Sequence, residues 1–246
     1  MGAPLAARAL PELTMAGAVV LRVGRARHEV RVVDGFLAHP AEVRRHALGC
    51  SFEAERGAYP GARAPVDFPS AEIIDRIEHL TGWELEAASA RLSFSIVTRS
   101  GREIQAHQRT PHVDATDVAG VLYLNPPEQC RGGTAFYRHR ASGLEAMPSR
   151  AEGRVVELMR DRGLWTLGQL AQWLMTPPAD EASGFLTRST PDWELMSLVP
   201  MRFNRLVLYE GALFHSGFIE DGWFGNDLSR RRLTLNGFAD LRRREP

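Results

Sequence analysis

Apolar residues recur at every second position through the first patterned stretch: Leu21 and Val23, then Val30 and Val32, with Gly24 where the chain must turn. A period of two puts these side chains on one face of an extended chain, so residues 19–33 are expected to form a β-hairpin. Asp34-Gly35 ends it. The period then lengthens. In residues 39–48, Val43, Ala47 and Leu48 form a helical stripe and Pro40 suits a first turn. In residues 71–80, Ile73, Ile74, Ile77 and Leu80 recur at helical spacing behind Ser70, which can serve as N-cap. Residues 57–69 are rich in Gly and Pro and are expected to be loop, and residues 1–13 a loose or capping segment.

Beyond residue 90 the alternation returns. Leu92, Phe94 and Ile96 share one side of residues 91–99. Residues 118–124 are an apolar, β-compatible run closed by Asn125-Pro126-Pro127, and Gly132-Gly133 opens a strand over 134–137. Residues 205–208 and 233–238 complete the set. Residues 142–200 interrupt the rhythm: 150–162 read as helix, and Thr166 caps a second helix that runs through Met175 and stops at Pro177-Pro178. The expected organisation is a single domain over 1–246, with a hairpin and bracing helices in 1–89 and a β core in 90–141 and 201–240. The helical insertion at 142–200 would pack on that core or lie over its mouth as a lid.

Composition narrows the function classes. Thirty basic and thirty acidic residues cancel, so no global field favours nucleic acid or an anionic membrane. No run approaches the roughly 20 apolar residues of a membrane span. Residues 16–23 are too short and wrongly flanked for a signal peptide, so a cytoplasmic location is expected. Cys50 and Cys130 lie far apart without Cys-x-x-Cys spacing, which argues for free thiols rather than a zinc ribbon or disulfide framework. Every basic residue is arginine, and the absence of lysine removes Schiff-base chemistry.

The chemistry-bearing motif is His112-Val113-Asp114, followed far along the chain by His215. On a strand, residues i and i+2 project to the same face, so His112 and Asp114 can grip one ion and a neighbouring strand can add His215. Two histidines and one carboxylate leave half an octahedron open, which suits Fe(II) with O2 and a chelating co-substrate. Alone, a His-x-Asp after Pro111 is equally a solvated turn, and a lone His215 a core histidine. The neighbours change that balance. After Asp114 come Tyr123-Leu124-Asn125 and Gly132-Gly133-Thr134; after His215 comes Arg232-Leu233-Thr234. This order, over residues 105–238 apart from the insertion, resembles the Fe(II)- and 2-oxoglutarate-dependent oxygenases, in particular the prolyl-hydroxylase-like branch.

The resemblance implies a mainly β (α+β) fold, a double-stranded β-helix or jelly-roll core with flanking helices and a helical insertion. It implies iron held by His112, Asp114 and His215, with Arg232, Thr234 and Tyr123 around 2-oxoglutarate. Arg232 would pair with the distal carboxylate while Thr234, on the same strand face, donates to it. Tyr123 is equally readable as a core aromatic. Arg232 lies farther from His215 than the family arginine usually does, with residues 219–226 as a lengthened loop, so Arg230 and Arg231 compete for its role. His107 and His139 are expected at the rim or behind the ligands, and Arg138-His139-Arg140 as a solvated basic turn or an anion contact. Trp165, Trp173 and Trp193 are expected to pack in the core rather than cage a substrate. The reaction implied is a hydroxylation of an unactivated C–H bond, with 2-oxoglutarate decarboxylated to succinate. The substrate class would be an amino-acid residue in a peptide or protein, or a free amino acid, with no nucleic acid or membrane partner. Desaturation or demethylation on the same site, and a cupin-like protein that binds metal without turnover, are the alternatives. An acid anchor at Arg232 argues against the last.

Overall fold

The computed structural model describes residues 17–55, 59–68, 71–176 and 184–242. The expected hairpin is β1 (Val19–Val23) and β2 (His28–Asp34), turning at Gly24 with φ +72°. Helices α1 (Pro40–Ala47) and α2 (Ala71–Thr81) follow with the predicted faces buried. Between them stand two strands, β3 (Glu53–Ala54) and β4 (Gly61–Pro65), the second of them within the 57–69 stretch where the sequence suggested loop. Ala62 and Ala64 are small but buried, and Gly61 lies so close to its neighbour that a Cβ would meet the Ile96 carbonyl oxygen at 1.9 Å. The strand is thus defined by close pairing with β5 (Arg91–Val97) rather than by hydrophobic bulk. Residue 70, the expected cap of α2, lies outside the described residues, as do residues 1–13.

The second half contributes a short helix, α3 (Ala106–Arg109), then β6 (Val118–Tyr123), β7 (Gly133–His139), α4 (Arg154–Asp161) and α5 (Leu167–Leu174). Next come β8 (Trp193–Pro200), β9 (Arg205–Glu210), β10 (His215–Phe218) and β11 (Leu233–Ala239). Thr166 caps α5 as its pattern suggested, accepting from Gln169 N–H at 3.1 Å. β8 lies inside the stretch read as helical insertion, because it pairs along the whole length of β7 and belongs to the sheet. β7 is also longer than expected and carries Arg138 and His139 within it.

Two antiparallel sheets result. The larger runs β1-β2-β9-β6-β11-β5-β4-β3 and the smaller β10-β7-β8. Alternation assigns each face. Val32, Ala119, Tyr123, Val207 and Tyr209 of the large sheet pack against Phe136 and Val199 of the small one. The opposite face of the large sheet, with Leu122, Leu208, Leu233 and Leu235, is covered by Val43 and Ala47 of α1 and Ile73, Ile74 and Ile77 of α2. The outer face of the small sheet, with Ala135, Tyr137 and Trp193, is covered by Met159 of α4 and Leu170 and Leu174 of α5. Burial on both faces makes each sheet a wall whose inner side chains can be polar only where a cavity or a hydrogen-bond partner receives them. Asn204, with φ +62°, ties the turn before β9 to the end of the hairpin: its side chain accepts from Leu37 N–H at 2.9 Å and donates to Leu37 O at 2.7 Å. Among the described residues no helix is long and apolar enough to cross a membrane.

Candidate metal centre

Residues 112–114 do not form the strand expected of them. Pro111 offers no N–H, and pairing is reduced to a single bridge in which His112 N–H donates to His215 O and His215 N–H to His112 O, both at 3.0 Å. Two residues on, Asp114 N–H donates to Gly211 O at 2.8 Å. Gly211 has to be glycine, since a Cβ there would fall 1.9 Å from Thr116 O. These bonds lay the 112–114 segment against the start of β10 and bring the side chains of His112, Asp114 and His215 together, with one ligand atom from each within 4.8 Å of the others. The imidazole centres are 4.5 Å apart.

Each histidine spends one ring nitrogen on the carbonyl two residues before it. His215 Nδ1 lies 2.8 Å from Leu213 O, and His112 bonds the Thr110 backbone. A carbonyl only accepts, so Nδ1 of His215 carries a proton, and whenever the ring is neutral Nε2 presents a lone pair. That lone pair sits 3.2 Å from Asp114 Oδ2, a buried oxygen that receives no hydrogen bond among the described residues. Two acceptors held face to face in a buried place call for a cation between them, and the donor set of two imidazoles and a carboxylate suits a transition metal. Without the ion, burial is the largest influence on His215 and lowers its pKa, but the charge and hydrogen bonding of Asp114 and the bond to Leu213 O together outweigh it, so the ring's affinity for a proton is raised. Burial would raise the Asp114 carboxyl, and the positive charge that His215 carries when protonated, aided by His112 and Arg63, reverses that to a net lowering. Burial, aided by the His215 charge, holds His112 down at about 4, so its ring stays neutral and free to ligate.

The three residues open onto a cavity of about 330 Å³ between the sheets. Arg232, just before β11, lines it, is 6% exposed, and has an Nε without a hydrogen-bond partner among the described residues. Its guanidinium lies 5.3 Å from the Tyr123 ring. Arg230 is instead exposed, and Arg231 donates to Val97 O at 3.3 Å. Thr234 and Tyr123 are fully buried on the same inner face, but neither lines the cavity. Thr234 Oγ1 reaches Ser95 O at 3.5 Å, and the Tyr123 hydroxyl bonds Thr134 Oγ1 at 2.7 Å. Thr134, named above only as part of the Gly132-Gly133-Thr134 element, and Asn236 do line it, as do Glu55, Arg63 and Tyr209, which the sequence had not singled out. Asn236 was within reach of alternation, being two positions beyond Thr234. Arg63 was hidden by the Gly- and Pro-rich stretch around it.

The remaining candidates lie elsewhere. His107 is exposed, and His139 is buried with its ring 5.0 Å from both Trp173 and Trp193. His139 thus packs on the outer face of the small sheet rather than behind the ligands. Arg138 and Arg140 both pair with Glu194 across β8. Trp193 is core, but Trp165, at 81% exposure, is not.

Residues 15–239 match the family described as "Family of unknown function (DUF6445)", and the chain belongs to that family. No curated protein matches it. Solved structures similar to it include a prolyl-4-hydroxylase from Pseudomonas putida, at 14% identity and TM-score 0.41, covering 88% of this chain and 95% of that one. HygX from Streptomyces hygroscopicus, solved with nickel and 2-oxoglutarate bound, matches at 14% identity and TM-score 0.43, covering 86% and 82%. At that degree of likeness the function has to be read from the side chains.

Proposed function

We propose that this chain is an Fe(II)- and 2-oxoglutarate-dependent dioxygenase that hydroxylates an unactivated C–H bond, and that its β sandwich is a double-stranded β-helix. The observation that carries the reading is the cluster His112, Asp114 and His215 facing the same cavity as the buried, incompletely bonded guanidinium of Arg232. His112, Asp114 and His215 would hold the metal, and Leu213 O and the Thr110 backbone fix the ring orientations that ligation needs. Arg232 would take the distal carboxylate of 2-oxoglutarate, a group whose charge-assisted bonds a non-catalytic metal site has no use for. Tyr123 and Thr134 brace the wall beside it through their mutual hydrogen bond rather than through a direct contact. Val121, Tyr209 and Phe238 supply apolar lining that limits water. Bound iron would supply O2 activation and the oxidation of substrate carbon, with succinate and CO2 as co-products. The substrate class is an amino-acid side chain.

Anaerobic addition of Fe(II) and then 2-oxoglutarate tests the reading through the weak visible charge-transfer band of the chelate. Wild-type protein should develop the band, and His215→Ala and Asp114→Ala should not. A wild-type protein that gives no band, or variants that keep it, would overturn the assignment.

A further inference from the structure

Among the described residues two arginines line the cavity, and the co-substrate would account for one. The second, Arg63 on β4, is paired with Glu55, which also lines the cavity, with Nε 3.4 Å from Oε2. The pairing is loose: Arg63 Nε is buried yet takes part in no hydrogen bond among the described residues. Both side chains remain 34% exposed and both also border an open groove past Ser93 and Arg99, so they stand at the mouth, reachable from solvent. The guanidinium is held in place by aromatic rings, 5.0 Å from Tyr59 and 5.6 Å from Phe238. A cation oriented by ring contacts, beside an anion to which it is poorly bonded, is suited to exchanging that partner for a better one.

We propose that Glu55 and Arg63 form a receptor for the two charged ends of a free α-amino acid, and that this is the substrate whose side chain reaches the metal ligands. The inference rests on the oxygenase reading for the reaction, but not for the binding. In an α-amino acid the ammonium nitrogen and the nearer carboxylate oxygen lie about 3 Å apart by ordinary bond lengths and angles. That span is close to the 3.4 Å between Arg63 Nε and Glu55 Oε2, so the zwitterion can lie across them with ammonium on Glu55 and carboxylate on Arg63. The charges of the zwitterion and of the two side chains then alternate. A residue inside a polypeptide offers neither charge and would leave the ion pair as it is. Recognition by two charged groups discriminates steeply, because an analogue missing one end leaves its partner desolvated and unpaired.

The test uses a panel of free L-amino acids, each beside its Nα-acetyl form, its carboxamide and a blocked peptide containing the same residue. The thermal shift of the metal-free protein reports binding, and succinate release from the Fe(II)- and 2-oxoglutarate-loaded protein reports coupling. At least one free amino acid should give both responses, and blocking either end should weaken them about tenfold or more, as should Glu55→Gln and Arg63→Lys. In the charge-swapped Glu55→Arg/Arg63→Glu protein the ion pair is rebuilt, so the unfolding temperature should recover without the amino-acid response. Blocked peptides acting as well as free amino acids, no amino acid producing a shift, or the swap restoring both readouts would overturn the receptor. A protein that forms the charge-transfer band but ignores all amino acids refutes this inference alone. One that forms no band refutes the oxygenase reading, while the thermal shift still decides the receptor.

Discussion

Replacing Arg232 with methionine asks whether the buried guanidinium serves the fold or a ligand. Methionine keeps an unbranched, adaptable stem and drops the charge. The buried Nε of Arg232 has no hydrogen-bond partner among the described residues, and an unsatisfied buried donor costs about 1–3 kcal/mol. Against this stands the contact with the Tyr123 ring at 5.3 Å, a cation–π interaction of about 0.5–2 kcal/mol. The difference favours the variant by about 1 kcal/mol, a rise in melting temperature of about 2–4 °C for a chain of this size. Ligand reverses the order. With Fe(II) present and 2-oxoglutarate at about a hundred times its dissociation constant, wild-type protein gains about 2.7 kcal/mol by mass action. The variant lacks the charge-assisted bonds and gains little of this. Melting curves recorded anaerobically with and without 2-oxoglutarate should therefore cross, with the variant more stable alone and the wild type more stable when loaded. A variant that melts below wild type without ligand, or that responds to 2-oxoglutarate as strongly, would refute the reasoning.

Acid should weaken the metal-free protein through His112. Its pKa is lowered from 6.5 to about 4, by burial first and the His215 charge second, so in that window the unfolded chain takes up a proton that the folded chain refuses. The stability is present above the unfolded value and lost as pH falls, and urea melts should show a steeper decline for wild type than for His112→Gln; equal slopes would contradict this. Asn204→Ala removes both side-chain bonds to Leu37 and should cost about 2–4 kcal/mol in chemical unfolding, whereas Asn204→Gly, which tolerates the positive φ, should cost less. Trp193→Ala should cost about 3–5 kcal/mol, while Trp165→Ala should stay within about 0.5 kcal/mol, and a large loss for Trp165 would mean that its exposed ring packs on something in solution.

The parts of the fold that announced themselves were those whose burial is one-sided and whose side chains are bulky. The β1–β2 hairpin and helices α1 and α2 each present an apolar face against a solvated one, so a period of two or of about 3.6 shows directly in the sequence. β4 gave no such sign, since Ala62 and Ala64 contribute little hydrophobicity and only the neighbouring β5 makes them core. β8 was masked by the two helices before it, although its Trp193 is buried and its partner β7 is adjacent in the sheet. At the site, the grouping of His112, Asp114 and His215 could be anticipated because chemistry dictates residue type and order. The identity of the cavity walls could not. Whether Thr134 or Thr234 faces the open space depends on how the two sheets pack, and Arg63 enters only because β4 is a strand.

The reciprocal bonds between His112 and His215 have a consequence for what the centre will accept and how it can change. Because each residue's amide clasps the other's carbonyl, the distance between the two imidazoles is set by the backbone, as in a caliper whose jaws are locked. A locked caliper would select by size: ions that need more numerous and more distant oxygen ligands, such as calcium, would have to spread it, whereas compact transition-metal ions would not. Exposed positions between the jaws, such as Trp165, can then change over evolutionary time without altering the gauge, whereas β7, which pairs with β10, and the buried faces of α4 and α5 cannot.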